Sequence, residues 1–203
     1  GAGSTINNTK QRLVKDIAKN SAKSAKFGQL LYRLIQHFQP KNILELGTSL
    51  GISANYLGGA NPNSKLYTLE GCPNTAKKAI ENIELLGFEN IDVVVGDFKD
   101  TLTPTLNKIE KLDFGFLDGN HQKQPTIDYF EKCLKYIDKN SVLVFDDIHW
   151  STGMEEAWEQ IKNHPQVYVS IDLFFVGLVF FNDTQRKDPF KIRLYHLLLI
   201  EWK

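Results

Sequence analysis

The sequence predicts an α/β protein, a doubly wound and mainly parallel sheet closed by a C-terminal antiparallel hairpin. Three observations carry this. Five short apolar, strand-like runs alternate with helical stretches, the arrangement that buries both faces of a parallel sheet. The first run ends in an acid and a glycine turn that opens straight into a helix: Asn42-Ile43-Leu44-Glu45-Leu46-Gly47-Thr48-Ser49-Leu50-Gly51-Ile52-Ser53. An open α/β sheet presents a ligand at the carboxyl end of its first strand in this way. Two further strand-like runs follow each other late in the chain with almost nothing between them, which suits an antiparallel pair.

The elements follow in order. Phe27, Leu30, Leu31, Leu34, Ile35 and Phe38 recur at helical spacing, and Pro40 stops that helix. Upstream, residues 9–20 read as a more polar helix. Strands are expected at 42–46, 65–70, 91–95, 112–117 and 141–146, with helices at 52–59, 73–86, 98–109 and 125–137 between them. Pro73 and Pro125 fall in first turns, where a proline loses no hydrogen bond, and Gly87 is placed as a helix C-cap. A helix over 154–163 is ended by Pro165, and the antiparallel pair occupies 167–172 and 175–181. The chain is expected to be a single domain over 1–203, with N-terminal helices in 1–38, the core in 39–182 and a tail in 183–203.

Lys and Arg number 24 and balance 24 Asp and Glu, so no bulk charge draws the chain to nucleic acid or a membrane. Cys72 and Cys133 are too few for a disulfide framework and lack metal-ligand spacing, which fits a reducing, cytoplasmic setting. No apolar run reaches the length of a membrane span, and no signal peptide is read. The chain begins at Gly1 rather than methionine, which leaves room for native residues ahead of it. A homodimer stays open.

The glycine spacing of the turn, Gly-x-x-x-Gly, is not the dinucleotide fingerprint. Gly47 permits a tight turn and Gly51 a close backbone approach to a ligand. Each motif strand ends near a carboxylate: Glu45, Glu70, Asp97, Asp118, then Asp146 and Asp147. Acids are common in turns, and Asp97 reads equally well as a helix N-cap. Glu70, ending the second strand, can accept both hydrogen bonds of a ribose diol. An acidic rim suits a cationic cofactor and repels a pyrophosphate.

The run Glu45-Leu46-Gly47-Thr48 resembles the first motif of class I S-adenosylmethionine (SAM) methyltransferases. Over roughly residues 27–181 the chain resembles the catechol O-methyltransferase-like group and its bacterial sugar O-methyltransferase relatives. The resemblance implies the Rossmann-like class I methyltransferase fold and SAM as cofactor. It implies that Glu45, Gly47 and Ser53 line the methionine end of SAM, with Thr48, Ser49 and Gly51 completing the turn. It also implies that Glu70 binds the ribose, that Asp97 meets the adenine amino group with Phe98 beside it, and that Cys72 touches the adenine face. Asp118 belongs to both the cofactor set and the metal set.

The chemical centre is Leu117-Asp118-Gly119-Asn120-His121 together with Val144-Phe145-Asp146-Asp147-Ile148-His149-Trp150. Hard divalent cations such as magnesium take oxygen ligands, and Asp118, Asp146 and Asp147 can converge on one ion from consecutive strand ends. The catechol group has an Asp-Asn pair after its fifth strand; the Asp-Asp pair here is closer to the sugar-modifying relatives. In those relatives an Asp-x-x-His histidine takes the hydroxyl proton, the place that His121 fills. A histidine suits the task, and a metal-bound hydroxyl is already acidified. His149 is a rival that lines the acceptor site, and Trp150 either stacks on an acceptor or caps the core. The expected function is SAM-dependent, divalent-metal-assisted O-methylation of a small hydroxylated acceptor. Alternatives are a metal-independent, nitrogen-directed or RNA methyltransferase, an NAD-linked oxidoreductase, disfavoured by the glycine spacing and terminal hairpin, and a SAM-binding protein without turnover. Fold does not fix the acceptor.

Overall fold

The computed structural model of the chain describes residues 24–192. They form two compact units that meet in sequence at Leu112 and Asp113. The predicted helix over 9–20 and the end of the tail lie outside the described residues.

In the first unit, α1 (Ala25–Phe38) starts where Ser24 Oγ accepts the Phe27 N–H, and it ends at Gln39, whose N–H returns to Ile35 O at 2.9 Å in a left-handed turn ahead of Pro40. Three parallel strands follow, β1 (Asn42–Leu46), β2 (Lys65–Glu70) and β3 (Ile91–Val95), in spatial order β3-β2-β1. Their connections are α2 (Ile52–Ala60) and α3 (Pro73–Leu85), and α4 (Phe98–Ile109) follows β3. β1 and β2 are buried almost throughout because helices cover a parallel sheet. Leu44, Leu46, Leu66 and Leu69 form that core with Leu31, Leu57, Ala76 and Leu102 from the helices. A Cβ on Gly28 would stand 2.2 Å from the Tyr56 ring, so the absence of a side chain there lets α1 and α2 pack together.

In the second unit the spatial order is β4-β5-β7-β6-β8. β4 (Phe114–Leu117) pairs parallel with β5 (Val142–Asp146) across the helix α5 (Lys123–Cys133). After α6 (Thr152–Lys162) the chain turns back. β7 (Val176–Phe180) runs antiparallel to β5 on one side and to β6 (Val169–Asp172) on the other. The core is aromatic: Phe114, Phe116, Phe130, Phe145 and Trp158 are buried, and Gly177 clears the space that the Trp158 ring fills.

The architecture is the predicted one, parallel strands alternating with helices and an antiparallel finish; the strands of the second unit begin one or two residues later than expected, α6 begins two residues earlier, and two further differences stand out. α5 begins at Lys123 and ends at Cys133, short of the expected 137. There Tyr136 N–H bonds Cys133 O, and Asp138 Oδ1 takes the Asn140 N–H, a turn that feeds β5. Pro125 still falls within the first turn, where its missing N–H has no helical partner. β8 (Asp188–Lys191), parallel to β6, lies in the stretch expected to be a tail; its residues are exposed and include Pro189. A proline is tolerated on an edge strand, where one side of the ladder is open. Among the described residues no helix is long and apolar enough to cross a membrane.

Candidate active site

The glycine turn after β1 is held to the end of β2. Leu69 O accepts the N–H groups of Gly47 and Thr48 at 3.0 and 3.1 Å, and Gly51 N–H closes on Thr48 O at 2.8 Å. Gly47, Ser49 and Gly51 all have positive φ, of 101°, 48° and 80°, a left-handed path that glycine follows without strain. Glu70 ties the turn to the next loop: Oε2 accepts the Ser49 N–H at 2.9 Å and Oε1 the Cys72 N–H at 2.8 Å. Each carboxylate oxygen retains a second lone pair for a diol.

Glu45 lies one residue before the end of β1 and is wholly buried. Its carboxyl stands raised to about 7: burial pushes it up most, the hydroxyls of Ser53 and Thr68 pull it partly back, and the Glu70 charge adds a smaller upward push. Oε2 accepts a short hydrogen bond from Thr68, which pairs in turn with Thr48 at 2.6 Å. Oε1 has no partner in hydrogen-bonding geometry; the Ser53 hydroxyl is near enough to influence the charge without forming that bond. The result is a buried acid with an oxygen to spare, beside a glycine turn and a second acid.

Asp97 is exposed and caps α4, its Oδ1 accepting the Lys99 N–H at 3.0 Å. Phe98 opens that helix and is half-buried. Cys72 stands at the N-cap of α3, where the Thr75 hydroxyl and N–H hold its thiol below the ordinary range.

In the second unit, ligand atoms of Asp118, His121 and Asp146 all lie within 4.8 Å of one another. His121 Nε2 stands 3.4 Å from Asp118 Oδ1 and 3.8 Å from Asp147 Oδ2. The strand end at β4 delivers Asp118, and a left-handed residue, Asn120 at φ 53°, turns the chain so that His121 comes back to it. Asp146 is the buried last residue of β5, and Asp147 follows at φ 52°. Two carboxylates and an imidazole at this spacing match the donor set of a divalent cation. Asp147 sits against His121 and is not one of the three clustered groups.

Trp150 is exposed, so it does not cap the core. Its N–H bonds Asp147 O at 2.9 Å, making a tight turn directly after the acid pair. His149 is gripped at both nitrogens, by Glu155 and by Asp172. The sequence reading did not single out Thr68, Glu155 or Asp172. Thr68 is the cross-strand neighbour of Glu45 in the β1–β2 register, which pairing the two strands would have indicated. Asp172, like Glu70 and Asp146, is the last residue of its strand.

Residues 44–148 match a protein family described as a methyltransferase domain. The catechol O-methyltransferase of Mycobacterium tuberculosis is 33% identical over 129 residues, 63% of this chain and 57% of that protein. The catechol O-methyltransferase of Niastella koreensis is 34% identical over 124 residues, 60% of this chain and 55% of that protein. The chain thus spans a little over half the length of these curated relatives. Among solved structures, an O-methyltransferase from Bacillus cereus in complex with SAH aligns with a TM-score of 0.69 at 25% identity, covering 85% of this chain and 92% of that one.

Proposed function

The chain belongs to the methyltransferase-domain family, and on that footing we propose that it moves a methyl group from SAM to a hydroxyl of a small acceptor with the help of a divalent cation. The observation that carries the acceptor chemistry is the cluster of Asp118, His121 and Asp146.

SAM supplies an electrophilic methyl carbon on a sulfonium. The glycine turn and Glu45 receive its methionine end, where the enclosed acid offsets positive charge. Glu70 accepts the ribose hydroxyls, and Asp97 with Cys72 and Phe98 borders the adenine. Asp118 and Asp146 would hold a hard cation with Asp147 beside them, and the ion would supply Lewis-acid polarisation of a hydroxyl. His121 takes the hydroxyl proton. The carboxylates 3.4 and 3.8 Å from its Nε2 then stabilise the charged ring. Trp150 lines the acceptor side.

A second reading is favoured by His121 being one of the three clustered groups: it is a metal ligand, and the hydroxyl loses its proton to solvent. Methyl transfer from labelled SAM to 3,4-dihydroxybenzoate, with and without exhaustive chelation, tests the activity and the metal together. As a general base His121 is worth about 10²–10⁴ in rate, so His121→Ala should lower turnover by that factor with SAM affinity and manganese(II) binding retained. Loss of manganese(II) binding in that variant, read by electron paramagnetic resonance, would instead establish the ligand role. Undiminished turnover after chelation would replace the metal-assisted reading with a metal-independent one.

A further inference from the structure

His149 is held too firmly to serve as a free base or a mobile contact. Its Nδ1 lies 3.2 Å from Glu155 Oε1 on α6, and its Nε2 lies 3.0 Å from Asp172 Oδ2 at the end of β6. The face of the ring stacks on Phe174, with centroids 5.4 Å apart and planes 27° apart. Asp172 grips the hairpin as well, since its other oxygen, Oδ1, accepts the Phe174 N–H at 2.8 Å. One carboxylate therefore clasps the loop after β5, which opens with Asp147, to the tip of the β6–β7 hairpin.

That tip is strained. Phe174 has φ of 77°, a left-handed conformation that is a genuine outlier for a bulky residue. Such strain persists only where the surroundings enforce it, and it gathers where a side chain is wanted in one place. The strain buries nothing here, because Phe174 remains 55% exposed and Trp150, next to His149, is 60% exposed. Trp150 is thus offered to solvent from a turn that begins at Asp147, 3.8 Å from His121, and Phe174 from the hairpin tip that stacks on His149 of the same turn.

We propose that Phe174 is a specificity-determining residue that presents its ring to a planar, aromatic acceptor, and that His149 and Asp172 are positioning residues that hold it there. The proposal rests on the methyl-transfer reading only for the location of the acceptor beside the acid cluster. Phe174 acts by stacking, and it selects aromatic diols over saturated ones.

Calorimetric titration with 3,4-dihydroxybenzoate in magnesium buffer tests this without requiring turnover. Phe174→Gly relieves the positive φ, so the variant should fold with an unchanged or higher melting temperature while its dissociation constant rises about tenfold. Phe174→Tyr should restore wild-type binding. His149→Ala should weaken binding to a similar degree and speed hydrogen exchange at the Phe174 amide, and His149→Gln, which keeps polar contacts at both ends, should recover part of each. The proposal is overturned if Phe174→Gly binds the probe as tightly as wild type, or if the wild-type protein does not bind it. Binding without methyl transfer would leave the proposal standing and overturn the proposed activity. Methyl transfer to saturated diols alone, without catechol binding, would do the reverse.

Discussion

Glu45 shows at the scale of one residue how a buried acid works against stability as pH rises. An apolar strand places its carboxyl where water cannot reach, and burial carries it from an ordinary 4.5 up to about 7. The folded state therefore holds this proton more tightly than the unfolded chain does. The stability it contributes is complete below the unfolded value and is lost as pH rises through about 7. At about 1.4 kcal/mol per pH unit the loss is roughly 3 kcal/mol. Glu45→Gln removes the titration, so thermal melts should place the variant near wild type at about pH 5 and well above it at about pH 8.5. An equal difference at both pH values would show that Glu45 does not titrate in this window. The same variant should bind SAM more weakly if the enclosed charge faces the sulfonium.

Among the elements, α4 carries a residue with two readings that can be separated. Asp97 caps the helix through Lys99 N–H, and the proposed function has it border the adenine as well. Removing a capping side chain costs about 1 kcal/mol, whereas serine caps nearly as well as aspartate. Asp97→Ala should therefore melt lower than wild type and Asp97→Ser close to it, while both lose SAM affinity because serine's shorter side chain falls short of the base. If Asp97→Ser binds SAM normally, the residue is a cap and nothing more. The strands of the first unit were legible to the residue, since each is a short run rich in Leu, Ile and Val closed by turn residues. β8 was not, because the features that make it an edge strand, exposure and Pro189, are those that mark a loop. The acids of the candidate site were legible as strand ends. Their partners were not: Thr68 under Glu45 and Asp172 against His149 depend on register and on chain reversal, which no local pattern encodes.

Over the whole molecule the charges cancel, with 24 basic and 24 acidic side chains, so a ligand is selected by local placement of acid rather than by an overall field. The first unit gathers Glu45 and Glu70 around a glycine turn, and the second gathers Asp118, Asp146 and Asp147 around His121. A cofactor bearing positive charge and no phosphate suits the first group; a pyrophosphate does not. This leads to a prediction that needs no acceptor. A ligand at a hundred times its dissociation constant stabilises the form that binds it by about 2.7 kcal/mol, which in a chain of this size corresponds to a rise of about 5–10 °C in melting temperature. SAM and its demethylated product should both produce such a rise, and NAD at the same concentration should produce none. Glu70→Ala should largely abolish it, because the loss of hydrogen bonds to a charged acceptor costs about 1.5–3 kcal/mol. A rise with NAD and none with SAM would place the chain's chemistry outside methyl transfer, whatever its fold.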